Sequence, residues 1–259
     1  MKKPTSLQFY PGTSNVVLPV KNKTFLPEEY QQQTRLTYYA SLFPSVEINS
    51  SFYRMPLSRT VKKWASEVPD HFRFTFKLLK EVTHSVKQAF NQRGIPEFLE
   101  RIAGAGVKKG CLLVQLPPSF YININQLRIL LDHFAVSDSE HSWPVAIEFR
   151  HPSWYADKVY ELLLAHNVAM VLQDMPKSAT PMELTSDNLV YLRFHGPEGG
   201  YRGSYTDDFL FEYAGYIQEW LAEGRTVYSY FNNTAGAAVQ NLITLNDFVA
   251  VKQEKTGSH

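Results

Sequence analysis

The stretch AIEFRHPSWY, residues 146–155, sets a carboxylate, a guanidinium and an imidazole (Glu148, Arg150, His151) directly behind an apolar run. Other apolar or alternating runs end the same way. SVEINSSFY carries Glu47, Asn49 and Tyr53, FRFTFKL carries Lys77, with His84 following, and CLLVQLP carries Gln115. LVYLRFH ends in Arg193 and His195, and TVYSYFN leads into Asn232 and Asn233. A carboxylate beside an imidazole can pass protons to and from a substrate, and guanidinium groups can neutralise an anion. Glu148 with His195 is therefore the expected acid/base pair, with Lys77 and Glu47 as further catalytic candidates and Arg150 and Arg193 as charge neutralisers. Lys77 could instead serve as a Schiff-base amine. Charges are costly to bury unpaired, so the same groups could also be a cross-braced plug of a barrel lumen.

Two loops are suited to an anion. HGPEGGYRGSY (195–205) has four glycines that let backbone amides approach a ligand, with Arg202 beside them and Tyr201 and Tyr205 to cover it. NNTAG (232–236) opens the last helical segment, where free N–H groups attract negative charge. The 195–205 loop could equally be a plain lid. His84, Glu148, His151, Asp174 and His195 are the metal-ligand candidates, and Glu148 and His151 have ExxH spacing. Gln115 and Asn232 stand where a closed di- or trinuclear site would want carboxylates, so no metal is expected. A Glu47/Glu148 glycosidase pair is disfavoured because the strand ends that carry such pairs in barrel glycosidases hold Gln115 and His195. No GxSxG, Walker A or dinucleotide fingerprint occurs, and the sequence names no cofactor.

Such residues need a scaffold that brings strand ends together. Eight candidate strands, LQFYPG, SVEINSSFY, FRFTFKL, CLLVQLP, PVAIEFR, VAMVLQD, LVYLRFH and TVYSYFN, recur at the spacing of a βα unit. Between or after them, PEEYQQQTRLTYYASLF, SRTVKKWASEV, NINQLRILLDHFAV, DKVYELLLAHN, DDFLFEYAGYIQEWLAEG and AGAAVQNLITLNDFVAVKQ have helical periodicity. Asp157 and Asp207 read as helix starts and Gly224 as a helix stop. This alternation predicts an α/β fold, a (β/α)8 TIM barrel, with a doubly wound sheet as the rival. Parity favours the barrel. Val46, Ile48, Phe72, Phe74, Phe76, Val145, Ile147, Phe149, Leu192 and Phe194 would face the helices. Glu47, Asn49, Arg73, Thr75, Lys77, Ala146, Glu148, Arg150, Arg193, His195, Tyr228, Tyr230 and Asn232 would face the lumen. Active sites of such barrels sit at the carboxyl ends of the strands.

At 259 residues, 44% hydrophobic and with a net charge of +1, the chain reads as one domain over 1–259 with its core at about 6–250. The balance of charge is not that of a dedicated nucleic-acid binder. The lone Cys111, in an apolar run, reads as a buried inert thiol. No apolar run approaches the ~18 residues of a membrane span, and the start lacks a leader's apolar region, so a cytoplasmic protein is expected.

The motifs VEINSSFYRMP, FRFTFKLLKEVTH, LLVQLPPSF, VAIEFRHPSWY, LRFHG with its tyrosine-rich loop, and YSYFNNTAGAAVQN together resemble the YecE-like family of uncharacterised TIM barrels, over about residues 6–250. The resemblance implies the barrel and supports site roles for Glu47, Asn49, Tyr53, Lys77, His84, Gln115, Glu148, Arg150, His151, Arg193, His195 and Asn232. It supplies no reaction. By fold it points to xylose-isomerase and endonuclease-IV barrels, which act on sugars or abasic DNA with metals, but Gln115 and Arg193 replace the carboxylates those enzymes would want. The leading expectation is an enzyme acting on a phosphorylated or otherwise anionic, sugar-like small molecule. The alternatives are a nucleic-acid-binding barrel that uses Lys62, Lys63, Lys77 and Lys80 with rim tyrosines, and a metal-dependent hydrolase.

Overall fold

Alternation of side chains along the strands builds the barrel, and the pattern holds on every strand. The computed structural model describes residues 8–20, 22–84, 90–140 and 142–256; Leu7, which opens the first predicted strand, lies outside them. Strands β1 (Phe9–Thr13), β2 (Ser45–Ile48), β3 (Arg73–Lys77), β4 (Lys109–Gln115), β5 (Val145–Glu148), β6 (Ala169–Met170), β7 (Leu172–Gln173), β8 (Leu189–Phe194) and β9 (Thr226–Phe231) pair in parallel throughout. They form two sheets, ordered β1-β9-β8-β7 and β2-β3-β4-β5-β6. Helices α1 (Arg35–Leu42), α2 (Ser50–Tyr53), α3 (Ser58–Ser66), α4 (Lys80–Thr83), α5 (Gly94–Ile102), α6 (Ile124–Ser137), α7 (Asp157–Ala165), α8 (Asp207–Ala222) and α9 (Ala238–Thr256) complete the βα alternation.

Two seams join the sheets into a (β/α)8 barrel. At one, β6 and β7 are a single predicted strand interrupted at Val171, whose N–H still donates to Ile147 while the Thr180 hydroxyl donates to its carbonyl. At the other, β1 meets β2 through a parallel bridge between Ser14 and Glu47. A Cβ on Gly12 would stand 2.2 Å from the Ser45 carbonyl oxygen, so only glycine lets these strands come so close. Tyr39 of α1 completes that seam: its phenol accepts from the Thr13 N–H at 2.7 Å and donates to the Ser45 carbonyl at 3.0 Å.

Apolar residues segregate into two cores. Outward-facing Val46, Ile48, Phe74, Phe76, Ile147, Phe149, Leu192 and Phe194 join the large shell between strands and helices. Inside the barrel a separate cluster, including Tyr10, Cys111, Leu113, Ala146, Val171, Tyr191, Tyr228 and Tyr230, fills the lower lumen. Cys111 is fully buried and burial pushes its thiol well above the usual range, in keeping with an inert thiol.

Several local expectations need correction. SVEINSSFY stops being a strand after Ile48, and Ser50–Tyr53 turn into α2. α7 and α8 do begin at Asp157 and Asp207, but neither aspartate is the cap: Ala156 precedes α7 without a side-chain bond, and the Thr206 hydroxyl accepts the Phe209 N–H ahead of α8. Gly224 does follow the end of α8, with φ +85°. Arg73 lies at the amino end of β3, bonded to the Asp70 and Phe72 carbonyls, and is remote from the ionic cluster at the strand carboxyl ends. Among the described residues no helix is long and apolar enough to cross a membrane.

Tyr39→Phe removes the hydroxyl that bridges the buried Thr13 N–H and the Ser45 carbonyl. It is expected to lower unfolding free energy by about 1–3 kcal/mol in guanidinium titration; an unchanged midpoint would show that the seam does not need the phenol.

Candidate active site at the carboxyl ends of the strands

Above the apolar layer, the lumen turns ionic within two residues of the ends of β2, β3, β5 and β8. Arg193 of β8 is at the centre. Its Nε and Nη2 grip both oxygens of Glu47 on β2 at 2.9 and 2.7 Å, and its Nη1 reaches Glu148 Oε2 on β5. Arg193 is 1% exposed and both carboxylates are 0% exposed. Glu47 is further held by the Ser14 hydroxyl and by the Tyr191 phenol at 2.6 Å. Glu148 Oε1 pairs with Arg150 Nε and lies 3.4 Å from His195 Nε2. Burial alone would raise both carboxyls, but the guanidinium groups overcome it: Arg193 holds Glu47 below the usual carboxylate range, and Arg150 and Arg193 hold Glu148 well below it.

The rim of this floor carries Lys77, Gln115, Arg150, His195 and Asn232. Lys77 Nζ and Arg150 Nη2 both donate to Gln115 Oε1, at 2.8 and 3.4 Å. Lys77 Nζ also lies 4.2 Å from the centroid of the Phe52 ring. Burial and the field of Arg193 pull the Lys77 ammonium down to about 8. His195 Nδ1 is 3.0 Å from the Asn232 amide nitrogen and its Nε2 is 3.3 Å from Arg150. Burial drops the imidazole to about 4 against the pull of Glu148, so it is uncharged at neutral pH. Counting Lys77, Arg150 and Arg193 against Glu47 and Glu148 leaves the cluster one positive charge in excess.

The other expected site residues divide into three groups. Tyr53 and His84 adjoin the cluster through Phe52, which takes both rings edge-on at 5.0 Å; Tyr53 is exposed, and burial with Lys77 and Lys80 lowers His84. Asn49 is half-buried past the end of β2, its N–H donating to the Asn15 side chain. Tyr201 is exposed and meets His195 edge-on, and Arg202 is exposed in the same loop.

Three expectations are corrected by geometry. His151 does not join Glu148: its Nδ1 bonds with Ser153, capping the turn Pro152–Trp154, and its ring packs on Tyr121, so the ExxH spacing does not converge. Tyr205 does not cover the loop's mouth. It is buried, accepts the Gly196 N–H and bonds Asp174, whose other oxygen takes the His195 N–H. The loop amides of Gly196, Gly199, Tyr201, Asn232, Ala235, Gly236 and Ala237 donate to protein oxygens, and Asn233 ties Gly203 to Asn241, so these groups hold the two loops together. These seven amides are thus already taken by the protein's own oxygens. Among the described residues, no group of three His, Cys, Asp or Glu could hold a metal ion.

Ser14, Tyr191 and Phe52 complete the site beyond the residues read from the sequence, together with Asp174, which the sequence offered only as a metal ligand. Tyr191 has the same parity as Arg193 and could have been found by that rule. Ser14 depends on the seam, which spacing along the chain does not encode.

Fold and site together define a TIM-barrel protein with a buried cluster of charged side chains at the carboxyl ends of its strands. The chain belongs to the family described as "Protein of unknown function DUF72", whose model matches residues 10–259. It is 27% identical over 249 residues to the UPF0759 protein YunF of Bacillus subtilis, covering 81% of this chain and 84% of that protein. It is 29% identical over 123 residues to the UPF0759 protein YecE of Escherichia coli, covering 48% and 44%. Crystal structures of DUF72 proteins from Enterococcus faecalis and Thermotoga maritima superpose with TM-scores of 0.77 and 0.71 at 22% and 24% identity. They cover 93% of this chain and 95% and 99% of theirs. These likenesses fix family and fold.

Two outcomes follow. Arg193→Met strands two buried carboxylates and is expected to cost about 3–5 kcal/mol in chemical unfolding; a loss under 1 kcal/mol would show that the ion pairs are dispensable. The second concerns acid. An unfolded histidine binds its proton near pH 6.5 and folded His195 only near 4, so wild-type stability falls as pH drops through that window, by about 3 kcal/mol. Below it the depressed carboxyls Glu47 and Glu148 continue the loss in the same direction. His195→Gln should flatten the upper part of the pH–stability curve; a parallel curve would place the titration elsewhere.

Proposed function

We propose that the protein is an enzyme that binds a phosphorylated or otherwise anionic, sugar-like small molecule at the carboxyl ends of the strands and works on it by acid/base chemistry. The observation that carries this reading is the convergence of Lys77 and Arg150 on one neutral oxygen, Gln115 Oε1, in a cluster whose two carboxylates, Glu47 and Glu148, are already matched by Arg193 and Arg150. Among the described residues Lys77 has no carboxylate within ion-pair distance, so an incoming anion supplies it a partner without breaking one, while Arg150, held through Nε by Glu148, turns its Nη2 to the neutral Gln115. The amides of Gln115 and Asn232 suit hydroxyl groups, and exposed Tyr53 and Tyr201 offer flat faces beside the charges.

The roles within the cluster follow from protonation. Glu148 is locked as an anion by two guanidinium groups, so it orients Arg150 and His195 and exchanges no proton at neutral pH. Proton transfer falls to neutral His195 and to Lys77, and Glu47 anchors Arg193. The lysines of the nucleic-acid alternative do not share a face: Lys62 and Lys63 are exposed on α3, whereas Lys77 is inside the barrel.

Calorimetry with inorganic phosphate and pentose and hexose phosphates tests the reading. Binding is expected, weakened about 10- to 100-fold by Arg150→Met, the loss of one or two charge-assisted hydrogen bonds, and unaffected by Lys62→Ala. No binding, or binding indifferent to Arg150→Met, would reject it. Affinity for single-stranded DNA that falls steeply with salt and with Lys62→Ala would favour the nucleic-acid reading instead.

A further inference from the structure

We propose that Lys77 is a carbonyl-reactive amine, and that the site takes anionic aldehydes or ketones as imines on its Nζ while Arg150 holds the anionic end. This deepens the anion-binding reading above and rests on it.

The placement of the nitrogen carries the argument. Lys77 is the last residue of β3 and its side chain rises into the lumen rim, 8% exposed. Among the described residues its Nζ makes one hydrogen bond, to the uncharged Gln115 Oε1, and no ion pair. Both carboxylates of the cluster are already matched to Arg193 and Arg150. Lys77 is therefore the supernumerary cation, and losing its proton breaks no salt bridge. The apolar Phe52 ring forms one wall of its site, and the guanidinium groups of Arg193 and Arg150 repel a second positive charge. Desolvation beside other cations is how an amine is made nucleophilic at neutral pH; here it leaves roughly a tenth of Lys77 unprotonated at pH 7.

The step needs no outside oxidant or reductant. The Nζ lone pair attacks the carbonyl carbon, a C–N bond forms, and the carbonyl oxygen takes a proton to give a carbinolamine. The nitrogen loses a proton, the hydroxyl gains one and leaves as water, and the nitrogen lone pair closes the C=N bond as an iminium. Neutral His195 in the same cluster is the side chain suited to carry these protons. Because Lys77 and Arg150 bond one oxygen at 2.8 and 3.4 Å, their nitrogens lie no farther apart than those two lengths end to end. That span fits a substrate whose carboxylate or phosphate lies a few bonds from its carbonyl.

The test is borohydride trapping of the full-length protein with pyruvate, glyceraldehyde 3-phosphate or uncharged glyceraldehyde, mapped by peptide mass spectrometry. The expected result is a reduced adduct on Lys77 with the two anions, formed at least tenfold faster than on exposed Lys62 or Lys63 and slowed by inorganic phosphate. Arg150→Met should slow labelling by the anions at least tenfold more than it slows labelling by glyceraldehyde. If phosphate or glyceraldehyde 3-phosphate binds by calorimetry while Lys77 reacts no faster than Lys62, the imine is overturned and anion binding stands. If glyceraldehyde labels Lys77 as fast as the anions and phosphate does not compete, the amine is reactive and the anionic part of the proposal is overturned.

Discussion

Arg193 sits between two buried carboxylates, and the upper half of the barrel is organised around it. Its guanidinium spans the lumen from β8 to Glu47 on β2 and to Glu148 on β5, thereby tying both sheets together beneath the site. Each ion would cost several kcal/mol to desolvate alone, so none is tolerable without the others and without the hydroxyls of Ser14 and Tyr191. The arrangement also aims what lies above it. Glu148 directs Arg150 toward Gln115 and faces His195, and Asp174 with Tyr205 fixes the backbone from which His195 projects.

One charge is left over. With two guanidinium groups satisfying two carboxylates, Lys77 enters a nearly closed lumen without an anion of its own. Between pH 10.5 and about 8 the unfolded chain holds a proton that folded Lys77 has released, so folding loses about 3 kcal/mol across that interval. Methionine would fill the place without that cost. Groups retained at the expense of stability cluster where binding or chemistry needs them, and this is the physical reason for placing the ligand's anion at Lys77 and Arg150.

Much of the fold was legible in the sequence because strands write a period of two. The inward set Glu47, Lys77, Glu148, Arg150, Arg193, His195 and Asn232 follows from alternation alone, and the structure brings these residues into one hydrogen-bonded cluster. What alternation cannot supply is depth or partner choice. Arg73 obeys the same parity and lies at the opposite end of the barrel from the cluster. His151 follows Arg150 by one residue and therefore leaves the lumen to cap a turn. Glycines announced a loop able to offer amides, but the folded contacts decide where amides donate: Gly199, Tyr201 and Gly236 donate within their own loops, and Ala235 donates across to the Tyr201 carbonyl. The closing seam, with Gly12, Tyr39 and Ser14, joins residues whose sequence separation carries no periodic signal.

The account stands or falls on Lys77 being a surplus cation that waits for an anion. NMR of the Lys77 side-chain amine, titrated with and without saturating inorganic phosphate, reads this directly. The free protein is expected to show an amine titrating near 8 that moves upward toward the ordinary lysine range when phosphate binds. A lysine that titrates at its ordinary value in the free protein, or one unmoved by phosphate, would contradict it.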